Sequence, residues 1–109
     1  MKTNSEFFKK YFWIKEVETV PESFGVAIYT TFDPYIFKDA FHAETDEWED
    51  EDGNDNSIDY FKVGNVIVIL DSESFFIESE DEDEITSVLE YIDHAYHVMN
   101  DLLIIYQRL

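Results

Sequence analysis

The stretch IDYFKVGNVIVILDSESFFIE, residues 58 to 78, gives the clearest indication of the fold. Residues 58–63 and 66–70 are rich in β-branched and aromatic side chains, and Gly64-Asn65 between them is typical of a two-residue β-hairpin turn. Residues 74–78 add a further strand after a polar turn at residues 71–73. Because no connection in this stretch is long enough for a crossover, we predict an antiparallel sheet.

Upstream, the sequence predicts another strand and two short helices. Residues 24–32 are rich in β-branched and aromatic side chains, which favours a strand, and residues 14–20 look extended. Helical spacing of apolar residues predicts a short helix from residue 5 to about residue 13. Asp33-Pro34 combines an N-cap with Pro at the first position, which predicts a second helix start. The buried face expected for that helix consists of Ile36, Phe37, Ala40 and Phe41.

Downstream, we predict a long amphipathic helix from about residue 82 to the C-terminus. A capping box formed by Ser79 with Glu82, or by Asp81 with Glu84, marks its start. Its apolar positions keep a spacing of three and four; they are Ile85, Val88, Leu89, Ile92, Tyr96, Met99, Leu102 and Tyr106.

Together, these elements predict an α+β fold in a single domain, residues 1–109. The expected architecture is a small antiparallel β-sheet of three to four strands packed with helices, including the long C-terminal amphipathic helix.

Composition excludes several classes of protein. Hydrophobic residues make up 45% of the chain and aromatic residues 17%, far from the composition of disordered proteins. The absence of Cys excludes disulfides, thiolate metal sites and a Cys nucleophile. No apolar run approaches the roughly 18 residues of a spanning helix, and the N-terminus lacks a signal-peptide pattern. We therefore expect a cytoplasmic protein.

Charge is the most unusual property of the sequence. There are 26 acidic and 7 basic residues, for a formal net charge of −19. Residues 1–38 hold five acids and five Lys, whereas residues 39–107 hold twenty-one acids and one Lys. Self-repulsion of this size lowers stability and exceeds what solubility requires. We expect a basic partner, and we expect the protein to avoid nucleic acid and anionic membranes.

Most of the charge lies in two blocks, residues 44–59 and 71–84. The first holds nine carboxylates around Trp48, and its simplest interpretation is a solvated, disordered loop. The alternative is a surface that a partner recognises, with both blocks brought together by the hairpin into one continuous negative surface. The candidate partner-binding residues are Glu44, Asp46, Glu47, Trp48, Glu49, Asp50, Glu51, Asp52, Asp55, Asp59, Asp71, Glu73, Glu78, Glu80, Asp81, Glu82, Asp83 and Glu84.

The sequence indicates neither a metal site nor catalysis. No register of the first block matches an EF-hand loop, and no phosphate-binding Gly spacing or hydrolase motif occurs. On a helical projection His94 and His97 lie opposite the apolar stripe, so we expect them to face solvent. The same outer face holds Glu90 and Asp101, with Asp93 at its edge. We expect no enzyme activity, no cofactor and no metal.

Carboxylate spacing suggests what the partner recognises. Carboxylates two apart on a strand lie ~6.6 Å apart, and those three or four apart on a helix lie ~5–6 Å apart. These values fall within the range of phosphate separations on a nucleic-acid backbone. A rigid array of carboxylates is therefore able to occupy a Lys/Arg groove meant for nucleic acid.

In size, acidity, aromatic content and lack of Cys, the chain resembles phage-encoded DNA mimics, which include anti-CRISPR and anti-restriction proteins and inhibitors of DNA repair enzymes. The resemblance lies in composition and size, and no motif carries functional residues over. It implies an inhibitor in the host cytoplasm that blocks the basic nucleic-acid-binding site of a Cas nuclease or restriction enzyme, such as a PAM-reading Arg cleft.

Two other functions stay open at this point. A bacterial immunity protein is also small and acidic, and it plugs the basic cleft of a nuclease toxin through a few hot-spot residues. An acidic adaptor, kept soluble by its charge, is the third. For Trp48 we favour a role as a pin that folds back onto the domain over a role as an anchor in the partner, because a rigid array avoids the cost of ordering.

Overall fold

The 58–78 stretch folds into three consecutive antiparallel strands, as predicted, within a larger sheet. The structure, a computed structural model, describes the backbone of residues 8–19 and 24–108 and the side chains of residues 8–19 and 24–99. Its strands and long helix are β1 (Ile14–Thr19), β2 (Val26–Thr30), β3 (Glu44–Glu49), β4 (Asp55–Val63), β5 (Val66–Leu70), β6 (Ser74–Ile77) and α1 (Glu82–Arg108).

The six strands of the described chain form one antiparallel sheet, in the order β1-β2-β6-β5-β4-β3. In the same residues α1 is the single long helix, so the prediction of three to four strands packed with helices is wrong. The two edge strands account for the error. β1 has no strict apolar alternation, and all six side chains of β3 are exposed, so β3 lacks the apolar face that identifies a strand.

The turn between β4 and β5 confirms the hairpin predicted at Gly64-Asn65. Val63 and Val66 pair across it, and Gly64 has a φ of +62°, which residues with a Cβ rarely adopt. β6 then returns along β5 after a second turn, in which the N–H of Asp71 donates to the carbonyl oxygen of Ser74.

Helix α1 begins where the sequence predicts it. Asp81 caps it, since Asp81 Oδ1 accepts hydrogen bonds from the N–H groups of Asp83 (2.9 Å) and Glu84 (3.1 Å). The hydroxyl of Ser79, the alternative cap, instead donates to Glu84 Oε1 at 2.8 Å. The buried face of the helix is confirmed by the complete burial of Ile85, Val88, Leu89 and Ile92. The side chains predicted to continue this face, Leu102 and Tyr106, lie outside the described ones.

The hydrophobic core lies between α1 and one face of the sheet. Alternate residues of the four central strands face α1: Val26, Ile28, Phe61, Val66, Val68, Leu70, Phe75 and Ile77. The segment before β1 adds the buried Phe8, Tyr11 and Trp13, whereas Phe12 is 63% exposed. Residues 5–7, where the N-terminal helix is predicted to begin, lie outside the described residues, but residues 9–13 form turns, so the predicted extension of this helix to about residue 13 is wrong.

The helix start predicted at Asp33-Pro34 is confirmed, but the helix is one 3-10 turn, Pro34–Phe37. A helix that ends after one turn does not hold its later residues on one face. The predicted buried face is therefore half wrong: Phe37 and Phe41 are buried and stack with ring centroids 5.0 Å apart, and Ile36 and Ala40 are exposed.

Candidate partner-binding surface

The first acidic block is a β-hairpin. β3 and β4 pair at six positions, from Glu44 opposite Tyr60 to Glu49 opposite Asp55, so its interpretation as a disordered loop is wrong. Hydrophobic periodicity misses this hairpin because neither face of β3 is buried. The local signal that reveals it is Asp52-Gly53, since Asp-Gly favours tight turns and Gly53 has a φ of +82°.

The tip of this hairpin is organised by the carboxylate of Asp50. Asp50 Oδ1 accepts from the N–H of Asp52 (3.0 Å) and of Asn54 (2.9 Å), and Oδ2 accepts from the side-chain amide of Asn56 (3.2 Å). These bonds, above all the one from the Asn54 N–H, lower the pKa of Asp50. One acid of the block therefore fixes the geometry of the others.

Alternation along β3 divides its side chains between the two faces of the sheet. The face turned away from α1 carries Glu44, Asp46 and Trp48, and the face on the side of α1 carries Thr45, Glu47 and Glu49. On β4, Asp55 and Asp59 also lie on the α1 side, and Asp50, Glu51 and Asp52 form the tip. The hairpin is thus acidic on both faces and at its end.

Asp59 ties the base of the hairpin to the rest of the molecule. It accepts a hydrogen bond from the Thr45 hydroxyl across the strand pair, and one of its oxygens lies 3.6 Å from Lys38 Nζ. The Thr45 bond and then the Lys38 charge lower the pKa of Asp59. Its side chain is 17% exposed, so Asp59 serves the fold more than a partner.

The second acidic block divides between the two ends of the sheet. Asp71 and Glu73 lie in the turn that follows Leu70. Because Leu70 pairs with Asp59 of β4, this turn lies beside the β3–β4 hairpin. The rest lie at the start of α1: Glu78, Glu80, Asp81, Glu82, Asp83 and Glu84. The N–H of Glu78 donates a hydrogen bond to the carbonyl oxygen of Ile67 on β5. Ile67 precedes Asp71 by four residues of extended chain, so about 14 Å separates the two groups. The expectation of one continuous surface is therefore wrong for the acids at the helix start.

Trp48 does not pin the hairpin to the domain, and that prediction is wrong. Its side chain is 48% exposed and lies near the tip end of β3, opposite Asn56. Strand pairing and the Asp50 hydrogen bonds order this element, which leaves the indole accessible.

The sheet face turned away from α1, here called the open face, is apolar at its centre. One row across the strands contains Glu18, Ala27, Phe76, Ile69, Tyr60 and Glu44. Flanking positions on the same face are Glu16, Tyr29, Ile58, Ile67, Asp46, Trp48 and Lys62. Sequence patterns miss this surface, because VIVIL and SFFI are apolar at almost every position and do not show which side is buried.

The outer face of α1 follows the sequence prediction where it is described. His94, His97 and Glu90 are exposed, and Asp93 is at the edge of the stripe. Asp93 Oδ1 accepts from the indole N–H of the buried Trp13 (2.8 Å) and lies 3.5 Å from His97 Nε2. The side chain of Asp101 lies outside the described ones.

Among the described residues, no group of three or more His, Asp or Glu side chains is placed to hold a metal ion. Within the same part of the chain, no helix has the length and apolarity of a membrane span. In comparisons with known proteins, the chain matches no family model, no curated protein and no solved structure. The function is therefore inferred from the surface alone.

Proposed function

We propose that this protein is an acidic inhibitor that mimics nucleic acid and blocks the basic nucleic-acid-binding site of a nuclease. A Cas nuclease or a restriction enzyme is the kind of target it fits, and neither free nucleic acid nor a membrane is its partner. In this proposal it is not an enzyme and uses no cofactor. The observation that supports it is the β3–β4 hairpin, with carboxylates on both faces and at the tip.

Order in the unbound hairpin favours this role. Six paired positions and the bonds to Asp50 hold the carboxylates in place, so binding does not have to order them. Carboxylates on one face of a strand repeat every ~6.6–6.8 Å, about twice the ~3.4 Å axial spacing of phosphates along one strand of B-DNA. The hairpin therefore presents negative charge at a spacing that a phosphate-binding groove is built to accept.

Competition with nucleic acid tests the proposal. A nuclease captured from host lysate on the immobilised protein should be released by duplex DNA, and its affinity should fall steeply as salt is raised. A ternary complex of nuclease, duplex DNA and this protein would contradict the mimicry.

Charge reversal on the hairpin gives a second readout. Glu47→Lys with Glu49→Lys changes two exposed residues of β3 and should weaken nuclease binding by at least about tenfold, because each removes an attraction and adds a repulsion. The matched control is Glu78→Lys with Glu80→Lys, which changes two exposed acids at the other end of the sheet. Equal losses in both variants would show that net charge, not the hairpin, determines binding.

A second candidate function, an immunity protein that plugs the basic cleft of a nuclease toxin, is favoured by one observation. Trp48 is 48% exposed among carboxylates, and an exposed Trp in such a setting resembles a binding hot spot. The two functions differ in their response to Trp48→Ala. Loss of about a hundredfold in affinity for a single toxin indicates an immunity protein, and a loss below about fivefold indicates a distributed mimic.

A further inference from the structure

The centre of the open face is a close-packed apolar surface. Ala27, Phe76, Ile69 and Tyr60 are cross-strand neighbours on β2, β6, β5 and β4. The Phe76 ring lies over Gly25, where a Cβ would come within 2.8 Å of Phe76 Cζ. Gly25 lies immediately before β2, and because it has no Cβ it leaves room for this ring at the edge of the apolar surface.

This apolar centre does not belong to the core beneath α1. Ile58, Ile67, Ile69 and Phe76 are each partly exposed, and none of them is among the side chains that form or flank the buried cluster. Isolated apolar side chains on a surface are ordinary, but a contiguous patch across adjacent strands is typical of a binding surface.

Carboxylates border this patch on both edge strands. On β1, Glu18 accepts a hydrogen bond from the Tyr29 hydroxyl at 3.2 Å, and on β3, Glu44 accepts one from the Tyr60 hydroxyl at 2.9 Å. Because these bonds orient the carboxylates, the acidic border is fixed relative to the apolar centre. The edges are five strand spacings apart, about 24 Å, which is wide enough to frame a partner element.

We propose that the open face docks a protein surface that has an apolar centre and Lys or Arg side chains around it. Charge complementarity selects this occupant: Glu16, Glu18, Glu44 and Asp46 outnumber the basic Lys62 on the same face. A second copy of this chain is disfavoured, because face-to-face pairing would bring two acidic borders together in a protein of net charge −19. Anionic membranes and nucleic acid are repelled for the same reason.

The inference deepens the proposed function and rests on it in one respect, namely that the partner is basic. It differs in the kind of contact. The hairpin faces a groove that binds phosphates, whereas the open face needs apolar side chains on the partner, which phosphate mimicry does not require. The two contacts are therefore separable by experiment.

Three synthetic peptides of equal length serve as probes. The first alternates Leu with Lys, the second replaces each Lys by Glu, and the third keeps Lys and replaces each Leu by Ser. Binding is followed through the isoleucine methyl signals in NMR, where Ile58, Ile67 and Ile69 report on the open face and the buried Ile28 and Ile77 serve as internal controls. We expect the Leu/Lys peptide to shift the open-face methyl signals and to bind at least about tenfold more tightly than the other two.

A matched pair of double variants completes the test. Ile67→Thr with Ile69→Thr keeps β-branched residues on β5 and should weaken binding of the Leu/Lys peptide about tenfold. Ile36→Thr with Val98→Thr, two positions that are 48% and 45% exposed elsewhere, should leave it unchanged. Circular dichroism of both variants verifies the fold.

Equal affinity for the Leu/Lys and Ser/Lys peptides, or open-face methyl shifts that depend on protein concentration alone, would overturn the proposed docking surface. The first result means that charge suffices, and the second means that a second copy covers the face. No nuclease is present in the titration, so its failure leaves the proposed function standing. Failure of duplex DNA to compete for the nuclease would overturn only that function.

Discussion

Carboxylates in this chain serve two different purposes at the scale of single residues. Asp50, Asp81 and Asp93 accept hydrogen bonds from the protein's own N–H groups and hold a turn, a helix start and a buried indole. Glu47 and Glu49 are exposed on an edge strand, and the proposed function assigns them to contact with the partner. All five acids contribute equally to the net charge, but substitutions should distinguish the two purposes.

The hydrogen bond between Trp13 and Asp93 gives the first prediction. Trp13 is completely buried, so Asp93→Ala leaves its indole N–H without an acceptor and should lower the free energy of unfolding by about 1–3 kcal/mol. Asp93→Asn keeps an acceptor oxygen and should cost less. Urea denaturation measures both, and His97→Ala controls for the loss of the 3.5 Å contact with His97. If Asn and Ala cost the same, the indole bond is not what Asp93 contributes.

Asp50 should make part of the stability depend on pH. Its pKa is lowered in the folded protein, so its contribution is complete above the ordinary value of 3.8 and is lost as the pH falls through the folded value. Asp50→Asn cannot titrate. The difference in unfolding free energy between the native protein and Asp50→Asn should therefore be largest near pH 7 and shrink below about pH 4. A difference that is constant from pH 7 to pH 2 would contradict this role.

At the scale of elements, α1 and β3 are opposite cases. The helix is held by a buried stripe, which its sequence displays at the helical period. β3 is held by backbone pairing to β4 and buries none of its side chains. Apolar periodicity therefore reveals the first and conceals the second.

Substitutions on the two sides of α1 test its orientation. Ile92 is completely buried, and Ile92→Asp places an unpaired carboxylate in the core, so it should cost more than about 3 kcal/mol. Leu89→Asp should behave in the same way. His94 is exposed, and His94→Ala should change stability by no more than about 0.5 kcal/mol. Far-UV circular dichroism during thermal unfolding ranks the variants, and a reversed ranking would mean that the helix is rotated from the described position.

Over the whole molecule, net charge opposes folding. A formal charge of −19 on 109 residues brings like charges closer together in the folded protein than in the unfolded chain, and their repulsion lowers stability. The division of the acids between the hairpin, the neighbouring turn and the helix start spreads this repulsion over both ends of the sheet. Salt should therefore strengthen the fold while it weakens partner binding.

Thermal unfolding at increasing NaCl measures this effect. Tm should rise between 0.01 M and 1 M NaCl, because the Debye length falls from about 30 Å to about 3 Å. The variant Glu47→Gln with Glu49→Gln removes two hairpin charges and should show a smaller rise. A Tm that falls as NaCl is added would mean that attractive ion pairs, such as Lys38 with Asp59, outweigh the repulsion.

The sequence by itself determined the elements whose signals are local. Gly64 with its positive φ set the β4–β5 turn, Asp81 set the start of α1, and the apolar period set the buried face of that helix. It also determined the two acidic blocks, residues 44–59 and 71–84, but not their separation in the fold. Each of these depends on residues within a few turns or one hairpin of each other.

Tertiary structure alone decided which residues the candidate site brings together. β3 is a strand only because it pairs with β4. That pairing places Asp46 and Trp48 together on one face of the sheet and Glu47 on the opposite face. In VIVIL both sides of the strand are apolar, so packing of α1 on one side determined that Val68 is buried while Ile67 and Ile69 are left on the open face. The physical reason is that strand register assigns side chains to faces through non-local hydrogen bonds, which no local pattern in an acidic or a uniformly apolar strand records.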